Sequence, residues 1–104
     1  MAYWFRGERY EDIDRLMKAV RLEIDGYFGD SDLNDILEDR DGIAGPDGTV
    51  YRTAAAIKRK DPDMYRQLRD DIIDSIIDGL YDAVAGGYLP QDVPYVEGTI
   101  DECK

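Results

Sequence analysis

The chain has no histidine, and so lacks the commonest general base and the commonest nitrogen ligand for a metal. It has one cysteine, Cys103, which excludes an internal disulfide. With no partner base, that thiol does not read as a nucleophile. It reads as a solvated tail residue and suits a reducing cytoplasm. No apolar run reaches the length of about eighteen residues that a membrane-spanning helix needs. The first nine residues lack the order of a secretory signal. Neither common phosphate-cradling glycine motif is present. Lysine is scarce, with 4 against 9 arginines, and the 13 basic residues face 24 acidic ones for a formal charge of −11. Such a surface repels nucleic acid and anionic membranes and attracts basic protein grooves. These absences remove the commonest catalytic groups, and acidic pairs are too abundant here to single out a couple, so no catalysis, cofactor or metal is expected.

What is present is aspartate on an apolar framework. Of the acidic residues 18 are Asp and 6 are Glu, so most charge is held on short stems close to the backbone. The hydrophobic fraction of 43% supports a core, and 104 residues fit a single small domain over 1–104. The periodicity predicts a mainly all-α fold: three to four helices, with an aromatic lead-in over 1–9, a helical core over 10–85 and an extended tail over 86–104. Tyr3, Trp4 and Phe5 are expected to fold back onto the core, with an exposed anchor as the alternative. Tyr10, Ile13, Leu16, Met17, Val20, Ile24 and Tyr27 predict one buried face of a helix over 10–28. Glu11 with Arg15 and Asp14 with Lys18 would compensate its charges, and Gly29 would end it.

A short helix is predicted over 31–40, capped by Asp30 or Ser31, with Leu33, Ile36 and Leu37 inward. Residues 41–49 read as a loop around the Pro46-Asp47-Gly48 turn, with a hairpin pairing Ile43 and Val50 as an option. A third helix is predicted over 50–60, with Val50, Ala54, Ala55 and Ile57 inward. Its end, Lys58-Arg59-Lys60, suits a helix C-terminus and carries no further assignment. Asp61 as cap and Pro62 at the first position open a spine helix running to about Ala85. Its apolar stripe is Leu68, Ile72, Ile76 and Leu80, widened by Ile73, Ile77 and Tyr81. Gly79 inside it is expected to mark close helix packing. Pro90, Pro94 and Gly98 keep the tail from being helical, and it is expected to cross the core as a strap.

On the spine helix Asp70, Asp74, Asp78 and Asp82 recur every fourth residue, which places them in one stripe. Like charges at that spacing repel by about 0.2–0.5 kcal/mol per pair. No Lys or Arg lies between Arg69 and Lys104 to relieve them. Asp63 and Asp71 would widen the stripe, and Asp32, Asp35, Glu38 and Asp39 would form a second acidic group. Asp30-Ser31-Asp32-Leu33-Asn34-Asp35 partly fits a calcium loop, but Asp35 stands where the sharp turn needs Gly and Asp41 where a bidentate Glu is needed. The apolar Leu33 and Leu37 favour a helix there, so no metal is assigned.

A helix rising about 1.5 Å per residue carries such carboxylates every ~6 Å. Duplex DNA carries phosphates every ~3.4 Å along each strand, so the stripe matches about every second phosphate level. Together with the Gly29–Leu37 stretch, the proline loop, Tyr51 and the acidic amphipathic helix that follows, this order resembles the phage acidic DNA mimics. The overcome-classical-restriction family is nearest in character, followed by acidic anti-CRISPR proteins. The likeness covers about residues 29–85; the Lys58–Lys60 cluster and the Pro/Gly tail depart from it. It implies a non-enzymatic decoy, in a host cell's cytoplasm, that occupies the DNA groove of a basic DNA- or RNA-binding protein such as a restriction enzyme or CRISPR effector. A homodimer would lengthen the charged surface. The first alternative is an acidic interaction module, an antitoxin or adaptor anchored by Trp4, Tyr88 or Tyr95. The second is a haloadapted helical protein whose charge has no specific partner.

Overall fold

Short strands, absent from the expected all-α bundle, turn the fold into a mixed α/β one. The computed structural model describes residues 2–89, 93–96 and 98–103. In chain order the described elements are β1 (Ala2–Phe5), β2 (Glu8–Tyr10), α1 (Ile13–Tyr27), α2 (Asp30–Asp39), β3 (Ile43–Ala44), β4 (Val50–Tyr51), α3 (Ala54–Lys60), α4 (Pro62–Ala85) and β5 (Ile100–Cys103). They fall into two units. One joins the chain up to Tyr27 with the chain from Ile73 onward, and the other is Phe28–Ile72. The long helix α4 contributes to both.

The first unit is built on an antiparallel sheet ordered β2-β1-β5. The stretch expected as an aromatic lead-in forms a hairpin. Arg6 and Gly7 have φ of 51° and 81°, the paired positive values of the two-residue turn whose twist matches its flanking strands. Phe5 then pairs with Glu8, Trp4 with Arg9 and Tyr3 with Tyr10. Tyr10 therefore belongs to β2, and α1 starts at Ile13 rather than residue 10. Asp12 sets that start by accepting the Arg15 backbone N–H at 2.8 Å. The expected charge pairs also change: Arg15 reaches Asp12 at 3.7 Å and Glu11 reaches Arg9 at 3.0 Å. Leu16, Met17, Val20 and Ile24 are buried as the periodicity requires, whereas Tyr27 is exposed. Each fully buried Leu or Ile contributes about 1.5–3 kcal/mol.

The second unit holds α2, α3, the β3–β4 hairpin and the start of α4. Gly29, not Asp30 or Ser31, caps α2, and Asp32 Oδ2 accepts the Gly29 N–H at 2.9 Å. The hairpin register is Ile43 to Tyr51 and Ala44 to Val50, one residue away from the Ile43–Val50 option. That shift buries Tyr51 and leaves Val50 exposed. It also prevents a helix from starting at residue 50, so α3 begins at Ala54. Thr53 caps it by accepting from Ala56 N at 3.2 Å, and Asn34 Oδ1 accepts from Ala54 N at 2.7 Å. Ala55, expected inward, is exposed.

The spine helix follows its sequence signals closely. Asp61 Oδ1 accepts from Met64 N at 3.1 Å, and Pro62 is the first helical residue. The other end closes with Tyr88 N donating to Ala83 O and Gly87 N to Val84 O, with Gly87 at φ 86°. This pair of bonds around a left-handed glycine is the Schellman closure. Leu68, Ile72, Ile73, Leu80 and Val84 are buried, whereas Ile76 and Ile77 are half-buried and Tyr81, expected to widen the stripe, is exposed. Gly79 has no atom within 4 Å of where a Cβ would sit, so close packing does not explain it.

Beyond Gly87 the tail is strap and strand. Val93, Val96 and Ile100 are buried, and β5 runs antiparallel to β1 with Phe5 opposite Ile100 and Trp4 opposite Asp101. The strap expectation at Pro90, Gln91, Asp92, Glu97 and Lys104, and the one on the Cys103 side chain, lie outside the described residues.

Candidate functional site: the aspartate face of the spine helix

α4 separates its two faces cleanly. The buried positions lie on one side, and Asp70, Asp71, Asp74, Asp78 and Asp82 are all exposed on the other. The helix thus presents the stripe as its spacing requires. The stripe is not uniformly uncompensated, however. Arg21 of α1 reaches Asp74 within the first unit and forms an ion pair with it. The missing counter-charge for that residue comes from 53 positions away in the chain, beyond the reach of a local charge count. Asp71 accepts from Gln67 Nε2 at 2.9 Å. Asp63 is held by Arg66 one turn later. Among the described residues, Asp70, Asp78 and Asp82 make no ion pair.

The second acidic group belongs to the Phe28–Ile72 unit. Asp32 is half-buried and spent on the α2 cap, while Asp35, Glu38 and Asp39 are exposed along α2. Asp30, beside them, is tied to a small network. The Tyr65 hydroxyl donates to Asp30 Oδ1 at 2.5 Å, and Lys58 Nζ lies 3.9 Å from Asp30 Oδ2 and 5.3 Å from the centre of the Tyr65 ring. The hydrogen bond to Asp30, followed by desolvation, raises the Tyr65 pKa. Lys58 is thus accounted for within the fold. Asp30, Asp32 and Asn34 lie on the opening turns of α2, which fixes them at helical spacing rather than around a loop. Among the described residues, no group of three or more acidic, Cys or His side chains is placed to hold a metal.

One constellation escaped the sequence reading. On the α1 side of the first sheet, a cleft of about 270 Å³ is lined by Phe5, Arg6, Glu8, Tyr10, Ala19, Leu22 and Glu23. Arg6 Nε lies 3.8 Å from Glu23 Oε2. Burial first, then the Glu8 and Glu23 charges, push the Tyr10 hydroxyl up. Leu22 is 74% exposed, off the buried stripe of α1. Its apolar character between Arg21 and Glu23 was the available signal. The hairpin that completes the cleft gave only the Arg6-Gly7 pair as a cue.

Among the described residues, no helix is long and apolar enough to cross a membrane. Comparison with protein-family models, curated proteins and solved structures finds no match.

Proposed function

We propose that the protein is a non-catalytic inhibitor that presents the Asp70–Asp82 face of α4 to the basic groove of a nucleic-acid-binding protein, in place of DNA. The observation that carries this reading is the state of Asp70, Asp78 and Asp82: exposed, at one helical face, and without an ion pair among the described residues. A folded domain has no need of such a stripe, and it costs a few tenths of a kcal/mol in mutual repulsion. Its value lies in binding, where carboxylates at ~6 Å intervals meet Lys and Arg side chains that otherwise contact phosphates. Asp63, Asp71 and Asp74 extend the same helix but are already engaged by Arg66, Gln67 and Arg21. They contribute less, because a partner must compete with those contacts.

The test is an inhibition and pull-down assay at low salt against a host lysate, with Asp70, Asp78 and Asp82 replaced together by Asn. Loss of capture with folding retained is the expected result, as is competition by duplex DNA. Capture that survives the triple replacement refutes the reading.

A second reading is favoured by the exposure of Trp4 at 43% and Tyr88 at 69%. In an interaction module such as an antitoxin or adaptor, these aromatic groups would supply the affinity and the carboxylates the encounter rate. Trp4→Ala then abolishes capture while the Asn variant only slows it.

A further inference from the structure

We infer that the open edge of β2, together with the cleft beneath it, is a docking site for an extended basic segment of a partner protein, added as a fourth strand to the first sheet. This goes beyond the α4 reading and does not depend on it.

The edge is defined by the hairpin. Phe5 and Glu8 flank a two-residue turn, so they form a hydrogen-bonded pair. The next pair, Trp4 and Arg9, is then non-hydrogen-bonded, and the Arg9 N–H and C=O point away from β1. β2 is an outer strand in the order β2-β1-β5. Among the described residues no backbone group bonds to Arg9 from that side. An antiparallel segment placed there exchanges two hydrogen bonds with Arg9, the same pairing that adds strands to other exposed edges.

The side chains specify what the segment carries. The pleat sends Arg9 and Trp4 to one face and Glu8 and Tyr10 to the other, over α1. Residues of the incoming strand that flank the one opposite Arg9 therefore point into the cleft. Its lining includes the apolar Phe5 and Ala19 and the exposed Leu22. Its lining also carries the Glu8 and Glu23 carboxylates, two acids beside the single cation Arg6, which lies 3.8 Å from Glu23. A Lys or Arg side chain matches both features: its methylene stem lies on Leu22 and Ala19, and its charged end reaches Glu8 and Glu23. A second copy of this chain does not match. Antiparallel self-pairing centred on Arg9 sets Arg9 against Arg9, between two molecules that each carry −11.

The probe is a blocked heptapeptide of alternating Lys and Val, which places Val opposite Arg9 and Lys over the cleft. Trp4, the single tryptophan, reports binding by fluorescence, and amide hydrogen exchange reports on Arg9. Saturable binding with slowed exchange at Arg9 is expected. Glu8→Gln with Glu23→Gln should weaken it by about tenfold or more, Leu22→Ser should weaken it too, and a peptide with Pro at the central position should not bind. Asp78→Asn with Asp82→Asn should leave it unchanged, which separates this site from the α4 face. The inference is overturned if the Pro peptide binds equally well, if the α4 variant alone loses binding, if no binding is seen at millimolar peptide, or if the Arg9 amide is already protected in the free protein.

Discussion

At the scale of single residues, the structure sorts side chains of the same type by what they touch. Asp74 and Asp78 are one helical turn apart and chemically identical, yet Asp74 is paired with Arg21 and Asp78 is not. Replacing Asp74 by Asn should cost about 0.2–1 kcal/mol, the range of an exposed pair. Replacing Asp78 should be neutral or stabilise by a few tenths, since it removes two like-charge neighbours. Urea denaturation of the two variants at low salt checks the difference in sign. Tyr65 gives a pH-dependent case. Its hydroxyl donates to Asp30, so the folded state holds that proton more tightly than the unfolded chain does. The contribution is complete below the ordinary tyrosine value of 10.0 and is lost as pH rises through the higher folded value. Tyr65→Phe should therefore cost about 0.5–1 kcal/mol at neutral pH. The gap from wild type should close in strongly alkaline denaturation series. Neither contact was legible in the sequence. Arg21 and Asp74, like Asp30 and Tyr65, are brought together by packing over tens of residues, and local spacing carries no trace of that.

At the scale of elements, legibility follows length and capping. α4 was readable to within a residue because Asp61-Pro62 and Gly86-Gly87 punctuate a long periodic run. α1 and α2 were readable as helices, but their starts were misplaced, because Asp12 and Gly29 were weaker cues than the apolar pattern around them. The strands are two to four residues long, too short for alternation to show. Their visible cues were the turn glycines, and substitution to Ala tells such a glycine from one inside a helix. Gly42 has φ 91°, and a Cβ there would lie 2.9 Å from the Tyr51 carbonyl oxygen. Gly42→Ala should destabilise by more than about 1 kcal/mol and disturb the β3–β4 hairpin. Gly79 is helical, exposed and open around its Cβ position. Gly79→Ala should stabilise by about 0.5–1 kcal/mol. Thermal unfolding followed by circular dichroism distinguishes them. A loss of stability in Gly79→Ala would show that α4 does not have the environment described for it.

At the scale of the whole molecule, the net charge of −11 admits two physical roles that respond to salt in different ways. If the charge serves a basic partner, the protein folds well in dilute buffer, and added salt helps only until repulsion is screened. The Debye length is about 8 Å at 0.15 M, already close to the ~6 Å spacing of the stripe, so the gain should level off near a few tenths molar. If the charge is a haloadaptation, stability climbs toward molar salt and folding fails without it. Compensation within the fold supports the first role. Arg21 pairs with Asp74, Arg66 with Asp63 and Lys58 approaches Asp30, so the scarce cations are used to fix particular carboxylates while Asp78 and Asp82 are left exposed. Replacing Asp70, Asp78 and Asp82 by Asn removes three charges, from −11 to −8, and should flatten the low-salt dependence of stability. The complex with a captured partner should show the opposite slope, weakening steeply across the same salt range as the carboxylates lose their hold on Lys and Arg. Measuring both curves on one preparation gives a decisive comparison. Stability rising and affinity falling over the same interval means that the same carboxylates oppose folding and drive binding. A complex indifferent to salt would move the affinity to Trp4 and Tyr88, and a protein unfolded in dilute buffer would leave the aspartate face without a partner to explain it.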